Sequence, residues 1–222
     1  MLKRILRPLL AAVLALAFVC APVRALEPSN LYPHKQELKA YIDSGGYAKD
    51  VATVALQANK YLLKRITRGA KPGKKLAIVF GVDETTLSNL PHILANDYGY
   101  VPRIWDSWIA EGRAPAIIPV QAVYETAVRS NVDVFFITGR KESDRVGTEK
   151  NLREVGYETW TGIFYKPNDF KETTRAFKIG MRRKLFTEGY VIVVNLGDQA
   201  NDLVGGYAEK HFKLPNPFYI TK

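Results

Sequence analysis

Three short segments of almost continuous apolar residues stand out along the chain. They cover residues 76–80 (LAIVF), 132–137 (VDVFFI) and 190–196 (YVIVVNL). Runs of this length without polar alternation are typical of strands that are buried on both faces, as in a parallel sheet. We therefore predict three buried strands.

The segments around these strands have the spacing of amphipathic helices. Over residues 51–65 the apolar positions recur every three or four residues, and two further helices are predicted over about 142–155 and 171–188. Gly156 and Gly189 directly follow these two helices, which is the position that glycine often takes at a helix end. Strands that alternate with helices predict an α/β fold, a doubly wound parallel (Rossmann-like) sheet with helices on both faces.

Residues 90–120 separate the first strand from the next helix and are rich in aromatic residues. These include Tyr98, Tyr100, Trp105 and Trp108. An insertion at this point lies above the sheet edge, so we predict a small cap-like insertion that shapes a substrate pocket. The alternative is that each of these aromatic side chains simply packs in the interior.

The first 25 residues differ from the rest of the chain. Basic residues precede an apolar run over residues 9–20, and Val23 and Ala25 are small residues at positions −3 and −1 of a cleavage site. The pattern predicts a signal peptide over residues 1–25, cleavage after Ala25, and a secreted or periplasmic location. An apolar run of about a dozen residues is too short to span a bilayer comfortably, so no stable membrane span is expected after cleavage.

The single cysteine, Cys20, lies inside this segment. A lipoprotein anchor at Cys20 is the alternative interpretation, although the bulky Val19 before it fits such a site poorly. The remaining domain, residues 26–222, has no cysteine, so its fold must depend on core packing and not on disulfides.

Removal of residues 1–25 changes the charge. The segment holds four of the 32 basic residues and no acidic residue, so the formal net charge falls from +10 to +6. A positive balance favours anionic ligands. The sequence has no basic stripe interleaved with aromatic residues and no nucleic-acid-binding motif, so no nucleic-acid partner is expected.

Polar residues follow each of the three apolar runs. The first run continues into VFGVDETTLSN (79–89), the second into TGR (138–140) and the third into GD (197–198). Ligands of parallel sheets bind outside the carboxyl ends of the strands. The three polar strand ends together therefore predict a functional site at this edge.

Together with Lys178 and Arg182, and with the segment GDQANDL (197–203), these strand ends resemble the four motifs of the haloacid dehalogenase-like phosphatases. The closer resemblance is to a secreted class B-type acid phosphatase branch, which includes bacterial acid phosphatases and plant vegetative storage proteins. It covers nearly the whole chain after residue 25. It implies hydrolysis of phosphomonoesters, with a small phosphorylated substrate or inorganic phosphate as the ligand.

The resemblance also implies roles for individual residues of the first motif. In that family an aspartate at the strand end attacks phosphorus, and a second aspartate two residues later acts as acid and base. Two carboxylates are needed because one must stay ionised while the other carries a proton. Asp83 matches the acid/base, whereas Gly81 occupies the nucleophile position. Glu84 is expected to point away from the site if the backbone is extended there.

The remaining motifs match the family. Thr138 and Gly139 with Lys178 would bind the transferring phosphoryl group, and Asp198 and Asp202 with the backbone carbonyl of Asp83 would hold Mg²⁺. The family metal also uses the nucleophile carboxylate, so glycine at position 81 removes the attacking oxygen and one metal ligand. The residues alone leave plainer roles open: a solvated helix face for Lys178, helix capping for the two aspartates, and a structural role for Thr138.

Three functional hypotheses follow. The first, which we favour, is an exported acid phosphatase-family protein that is inactive or severely impaired, because loss of a nucleophile costs on the order of a millionfold in turnover. The second is an active Mg²⁺-dependent phosphomonoesterase in which water attacks directly. The third is a non-catalytic phosphate-binding or storage protein.

Overall fold

The computed structural model describes residues 27–221, so the predicted signal peptide, its cleavage point and Cys20 lie outside the described residues. Five strands form one sheet in the order β3-β2-β1-β4-β5, and every neighbouring pair is parallel. The strands are β1 (Lys75–Phe80), β2 (Asp133–Lys141), β3 (Gly162–Lys166), β4 (Tyr190–Gly197) and β5 (Ala208–Lys213).

Helices cover both faces of this sheet. On one face α2 packs against α5 and both contact strands, while α7 covers the other face over β2, β3 and β4. The predicted doubly wound parallel fold is therefore confirmed. The helices are α1 (Leu31–Asp43), α2 (Gly46–Arg68), α3 (Leu90–Ala95), α4 (Pro102–Glu111), α5 (Ile118–Arg129), α6 (Arg145–Glu154), α7 (Thr174–Thr187) and α8 (Ala200–Leu203).

The apolar strands divide the core into two layers because successive side chains point to opposite faces of a sheet. In β1, Ile78 and Phe80 pack with the large cluster under α2 and α5. Ala77 and Val79 pack with Phe177 in the smaller cluster under α7. Burial on both faces explains why the sequence shows these strands as unbroken apolar runs.

The predicted helices are present with adjusted ends. The helix predicted over 142–155 begins with the 3₁₀ turn Glu142–Asp144 and continues as α6. Gly156 and Gly189 both have φ of +94°, which is a left-handed conformation that favours glycine after a helix. Between residues 27 and 221, no helix combines the length and apolar character needed to cross a membrane.

Residues 90–120 form α3, α4 and the start of α5, beside the carboxyl ends of the strands. Trp108 of α4 is buried, and its indole N–H donates to the Asn89 side chain over 2.8 Å. Trp105, one helical turn earlier, lines a cleft at this edge of the sheet. The aromatic residues of this segment thus divide between packing and the wall of the cleft.

Candidate active site

A cleft of about 1060 Å³ lies at the carboxyl ends of β1, β2 and β4. The fold brings all of the site residues predicted from sequence to its walls. They are Gly81, Asp83, Thr138, Gly139, Lys178, Asp198 and Asp202. The parallel sheet explains this convergence, because it brings the carboxyl ends of the central strands to the same edge. For example, Asp83 and Arg140 are in contact although 57 residues separate them along the chain.

The acidic turn after β1 reverses direction within a few residues. The backbone N–H groups of Thr86 and Leu87 both donate to the carbonyl of Val82 over 3.0 Å. Glu84 sits in this turn with φ of +44°, so the backbone is not extended there. Its side chain is directed into the protein and is fully buried, which gives it a role in the turn and not at the cleft.

The buried Glu84 carboxylate holds the turn in place. It accepts hydrogen bonds from the backbone N–H of Asn89 at 2.5 Å, from the Asn89 amide at 3.2 Å, and from the hydroxyl of Tyr219. Burial raises the pKa of Glu84 to about 8, and the nearby charge of Asp83 acts in the same direction. Sequence reasoning did not assign this residue to the site.

Gly81 directly follows β1 and remains attached to the sheet, because its N–H donates to the carbonyl of Leu196 over 2.9 Å. A Cβ atom at this position would lie 2.9 Å from Oγ1 of Thr85. That hydroxyl donates to Oδ1 of Asp198 over 3.0 Å. The Thr85 side chain therefore occupies space that a larger residue at position 81 would need, and it would have to shift for an aspartate.

Arg140 belongs to the TGR strand end, but sequence reasoning assigned it no role in the site. Its guanidinium binds the Asp83 carboxylate through Nε at 3.0 Å and Nη2 at 2.7 Å, and Asn89 donates to the same Oδ1 at 2.9 Å. Burial alone would raise the pKa of Asp83, but the charge and hydrogen bonds of Arg140 outweigh it and leave that pKa lowered. Asp83 is thus held as a carboxylate.

The guanidinium of Arg140 is itself fixed from several sides. Its Nη1 donates to Oγ1 of Thr148 over 3.0 Å, and its carbon lies 5.8 Å from the centre of the Trp105 ring. The Arg140 side chain is 2% exposed. The feature of the sequence that could have indicated a role for Arg140 is its position directly after Thr138 and Gly139 at a strand end.

Thr138 and Gly139 end the buried part of β2. The Thr138 hydroxyl oxygen accepts a hydrogen bond from the backbone N–H of Arg140 over 3.1 Å, which leaves its proton available to a ligand in the cleft. A Cβ atom at Gly139 would lie 3.1 Å from the Thr174 methyl group. A small residue at 139 therefore keeps this wall close to the start of α7.

Lys178 is buried, so the interpretation of a solvated helix face is wrong for this residue. Its ammonium group forms an ion pair with Asp202 and donates to the Asn201 side chain over 3.3 Å. One turn later, Arg182 donates to the carbonyls of Asp202 and Gly206. Arg182 thus ties down the loop after β4, whereas Lys178 places a positive charge in the cleft.

Asp198 and Asp202 follow β4 and lie close enough to influence each other. Burial raises the pKa of Asp198 to about 6, and the charge of Asp202 acts in the same direction. Asp202 also caps α8, since it accepts from the backbone N–H of Gln199 over 2.8 Å. The capping role that the sequence left open is therefore real for Asp202.

The fit of these groups to Mg²⁺ is incomplete. Across the described part of the chain, no three His, Cys, Asp or Glu side chains are placed to hold a metal ion together. Asp202 is paired with Lys178, and residue 81 has no side chain. Burial, and after it the charge of Asp202, raises the pKa of Asp198, and a bound cation would act against both effects by stabilising the ionised carboxylate. Of the two aspartates after β4, Asp198 is the one that is not ion-paired within residues 27–221.

The C-terminal segment 216–221 closes one side of the site, and sequence reasoning did not anticipate it. The Asn216 amide donates to Oδ2 of Asp198 over 2.8 Å, and Thr221 exchanges hydrogen bonds with Gln199 and Asn201. With the Tyr219 contact to Glu84, these bonds join the segment to both acidic motifs. Phe218, Tyr219, Ile220 and Thr221 all line the cleft.

A model of the HAD superfamily, subfamily IIIB (acid phosphatase), matches residues 10–222. The chain belongs to this family. The subfamily IIIB assignment covers every motif described above, and it confirms the resemblance found in the sequence.

Individual relatives support the same assignment. The chain is 34% identical over 218 residues to the stem 28 kDa glycoprotein of Glycine max, covering 91% of this chain and 84% of that protein. It is also 34% identical over 206 residues to acid phosphatase 1 of Solanum lycopersicum, covering 87% and 80%. Vegetative storage protein 1 of Arabidopsis thaliana is 34% identical over 147 residues, covering 64% and 54%.

Among solved structures, the class C acid phosphatase from Bacillus anthracis superimposes with a TM-score of 0.70. Its sequence identity is 27%, and the match covers 84% of this chain and 86% of that one. A second structure of the same enzyme has tungstate bound. This chain and the class C acid phosphatase thus share a fold.

Proposed function

We propose that this chain is an exported acid phosphatase-family protein that binds phosphate or a small phosphomonoester and has lost most or all catalytic activity. The observation that carries the proposal is Gly81 at the end of β1. The remaining motifs line one cleft, but the position of the attacking carboxylate carries no side chain. Export rests on the signal-peptide pattern of residues 1–25.

The cleft retains the groups needed to bind an oxyanion. Thr138 offers a hydroxyl donor, and Lys178 and Arg140 supply positive charge. Tungstate, an oxyanion that resembles phosphate, is bound in the related Bacillus anthracis enzyme. Mg²⁺ would be held here by Asp198 and the carbonyl of Asp83, where it would neutralise charge on the phosphoryl oxygens.

Gly81 affects binding and chemistry in opposite directions. An aspartate at this position would place a negative charge against the bound anion, whereas glycine places none. At an effective dielectric constant of 20, two unit charges 4 Å apart repel by about 4 kcal/mol, so the effect on phosphate affinity is large. Without the carboxylate, however, no side chain at position 81 can form a phosphoenzyme intermediate.

The test compares the parent with Gly81→Asp and Gly81→Asn. We expect no turnover of p-nitrophenyl phosphate above background by the parent or the Asn variant, and Mg²⁺-dependent activity for the Asp variant. Calorimetry should show that the parent and the neutral Asn variant bind inorganic phosphate at least about tenfold more tightly than the charged Asp variant. Robust turnover by the parent, confirmed as unaltered by mass spectrometry, contradicts the proposal.

One observation favours the second hypothesis, direct attack by water. Arg140 holds Asp83 ionised, and an ionised carboxylate at the cleft can accept a proton from an attacking water. The Thr85 hydroxyl takes up part of the space that glycine would otherwise leave for that water. If the parent is active by this route, Asp83→Asn abolishes turnover and rapid acid quenching traps no phosphoprotein.

The third hypothesis, a storage or purely structural role, has its own signature. The family includes proteins named for vegetative storage. A parent protein that binds neither phosphate, nucleotides nor Mg²⁺ in calorimetry would support it.

A further inference from the structure

The edge of the sheet opposite the cleft carries an unusual concentration of positive charge. Residues 51–82 include seven basic residues and no acidic residue. The last of these lie at the end of α2 and in the loop that leads into β1. Because β1 has six residues at about 3.3 Å per residue, this edge is about 20 Å from the cleft.

These basic side chains are exposed and available. Lys64, Arg68, Lys71, Lys74 and Lys75 are all exposed, and none forms an ion pair with an acidic residue of the segment 27–221.

Nearby acidic residues offset little of this charge. Glu209 is engaged by Arg65, and Glu188 is engaged by Lys184. Asp133 adds one negative charge at the start of β2, where it accepts a hydrogen bond from Thr161.

Exposed apolar side chains lie at the same edge. Leu63, near the end of α2, is 49% exposed. Phe186, near the end of α7 on the other face of the sheet, is 55% exposed, and its ring packs 5.7 Å from that of the exposed Tyr207. The Lys75 N–H donates to the Gly189 carbonyl over 3.3 Å, and the Gly189 N–H donates to the Phe186 carbonyl. The aromatic pair therefore belongs to the same surface as the loop that carries Lys71 and Lys74 and leads into β1 at Lys75. We name Leu63, Lys64, Arg68, Lys71, Lys74, Lys75, Phe186 and Tyr207 the basic edge.

We propose that the basic edge docks on an anionic lipid bilayer surface, with the cleft facing away from the membrane. Lysine and arginine near such a surface each strengthen binding by about fivefold. A soluble polyanion would use the same charges but would leave Leu63, Phe186 and Tyr207 in water. The lipid headgroup region accommodates the basic and the apolar side chains together, since aromatic and leucine side chains are favoured at this interface beside basic residues.

The test measures co-sedimentation with vesicles of equimolar phosphatidylcholine and phosphatidylglycerol, and with pure phosphatidylcholine. We expect the parent to bind the anionic vesicles and to be released by salt, because the attraction is screened. Neutralising two loop lysines, with Lys71→Gln and Lys74→Gln together, should weaken binding about 25-fold. Phe186→Ser should weaken it several-fold on vesicles.

The matched control is Lys49→Gln with Lys171→Gln, which removes the same charge from exposed lysines near the opposite end of the sheet. This control should bind the anionic vesicles like the parent. Parent and variants are compared in the mature form that begins at Leu26, because the basic and apolar segment 1–25 would bind anionic vesicles by itself. Their melting temperatures check that each is folded.

Three results would overturn the proposal. The first is equal loss of binding by both lysine pairs, which would indicate a response to net charge alone. The second is no binding of the parent to anionic vesicles. The third is tighter binding to dextran sulfate than to vesicles with no effect of Phe186→Ser, which would assign the edge to a soluble polyanion. Phosphate binding and turnover are measured separately, so the proposed function stands or falls independently.

Discussion

At the scale of single residues, the backbone does not require a glycine at position 81. Its backbone keeps the hydrogen bond to Leu196, and its φ does not lie in the region that favours glycine. The three atoms nearest to a Cβ atom at this position all belong to the buried Thr85 side chain, which would have to shift. The backbone geometry therefore gives no explanation for glycine at this position, directly after β1.

Arg140 provides a test of how the site depends on one buried charge. Arg140→Met leaves the Asp83 carboxylate, whose side chain is 22% exposed, without its buried partner, so we expect the free energy of unfolding to fall by about 2–3 kcal/mol in urea denaturation. Adding Asp83→Asn should recover much of this loss. Arg145→Met, which removes an ion pair at the surface with Glu142, should cost at most about 1 kcal/mol. Similar losses for both arginines would contradict the assignment.

The same scale shows what a linear sequence conceals. Lys178 shares a helix with several exposed basic residues, and only its burial against Asp202 distinguishes it. Glu84 stands beside Asp83 in the sequence, yet a single left-handed residue directs it into the interior. Neighbours in sequence therefore differ in role because the backbone turns between them.

At the scale of elements, the C-terminal segment and the acidic turn support each other. Tyr219 and Glu84 are 135 residues apart and form a partly buried hydrogen bond. The 216–221 segment has no regular secondary structure, so side-chain contacts with the two acidic loops position it. The segment 216–221 therefore shows no helical or strand pattern from which it could be predicted.

Two tyrosines test this arrangement. Tyr219→Phe removes a hydrogen-bond donor to the buried carboxyl group of Glu84, and we expect a loss of about 1–3 kcal/mol in the free energy of unfolding. Tyr47 is also buried, but its hydroxyl has no hydrogen-bond partner among the described residues. Tyr47→Phe should therefore be neutral or slightly stabilising in the same urea titration. A larger loss from Tyr47→Phe than from Tyr219→Phe would contradict this account.

Two helical glycines predict opposite responses to alanine. A Cβ atom at Gly147 of α6 would overlap the Ile109 carbonyl of α4, so Gly147→Ala should destabilise the protein by about 1–3 kcal/mol. Gly180 of α7 has no atom within 4 Å of its Cβ position. Gly180→Ala should stabilise by about 0.5–1 kcal/mol, as expected for an unobstructed helix position. Thermal denaturation distinguishes the two, and stabilisation by both would show that α4 and α6 are not in close contact.

At the scale of the whole molecule, metal binding tests whether the separate motifs act as one site. The Mg²⁺ concentration is set to about 100 times the Kd of the Gly81→Asp variant. Binding then stabilises the native state of that variant by about 2.7 kcal/mol, or roughly 5–10 °C in Tm. We expect this shift for Gly81→Asp and a smaller one for the parent, which lacks one ligand. Asp198→Asn should remove the shift in both backgrounds. An undiminished shift in the Asn variants would place the metal elsewhere.

The sequence by itself determined the central strands, their alternation with helices, and the order of the motifs. It could do so because strands buried on both faces must be apolar throughout, and because the motif residues follow them directly. The short edge strands β3 and β5 and helix α1 were not predicted. At an edge, one side of the strand meets water, so sequences such as AEKHFK in β5 are mixed and give no strong signal.

Only the tertiary structure decided which polar residues share the cleft. It pairs Arg140 with Asp83, Lys178 with Asp202, and Asn216 with Asp198, and it moves Glu84 out of the cleft. It also placed the lysines after α2 beside the aromatic pair of Phe186 and Tyr207. The physical reason is that hydrogen bonds and ion pairs depend on distances of about 3 Å, which the meeting of strand ends and loops fixes and a one-dimensional pattern does not record.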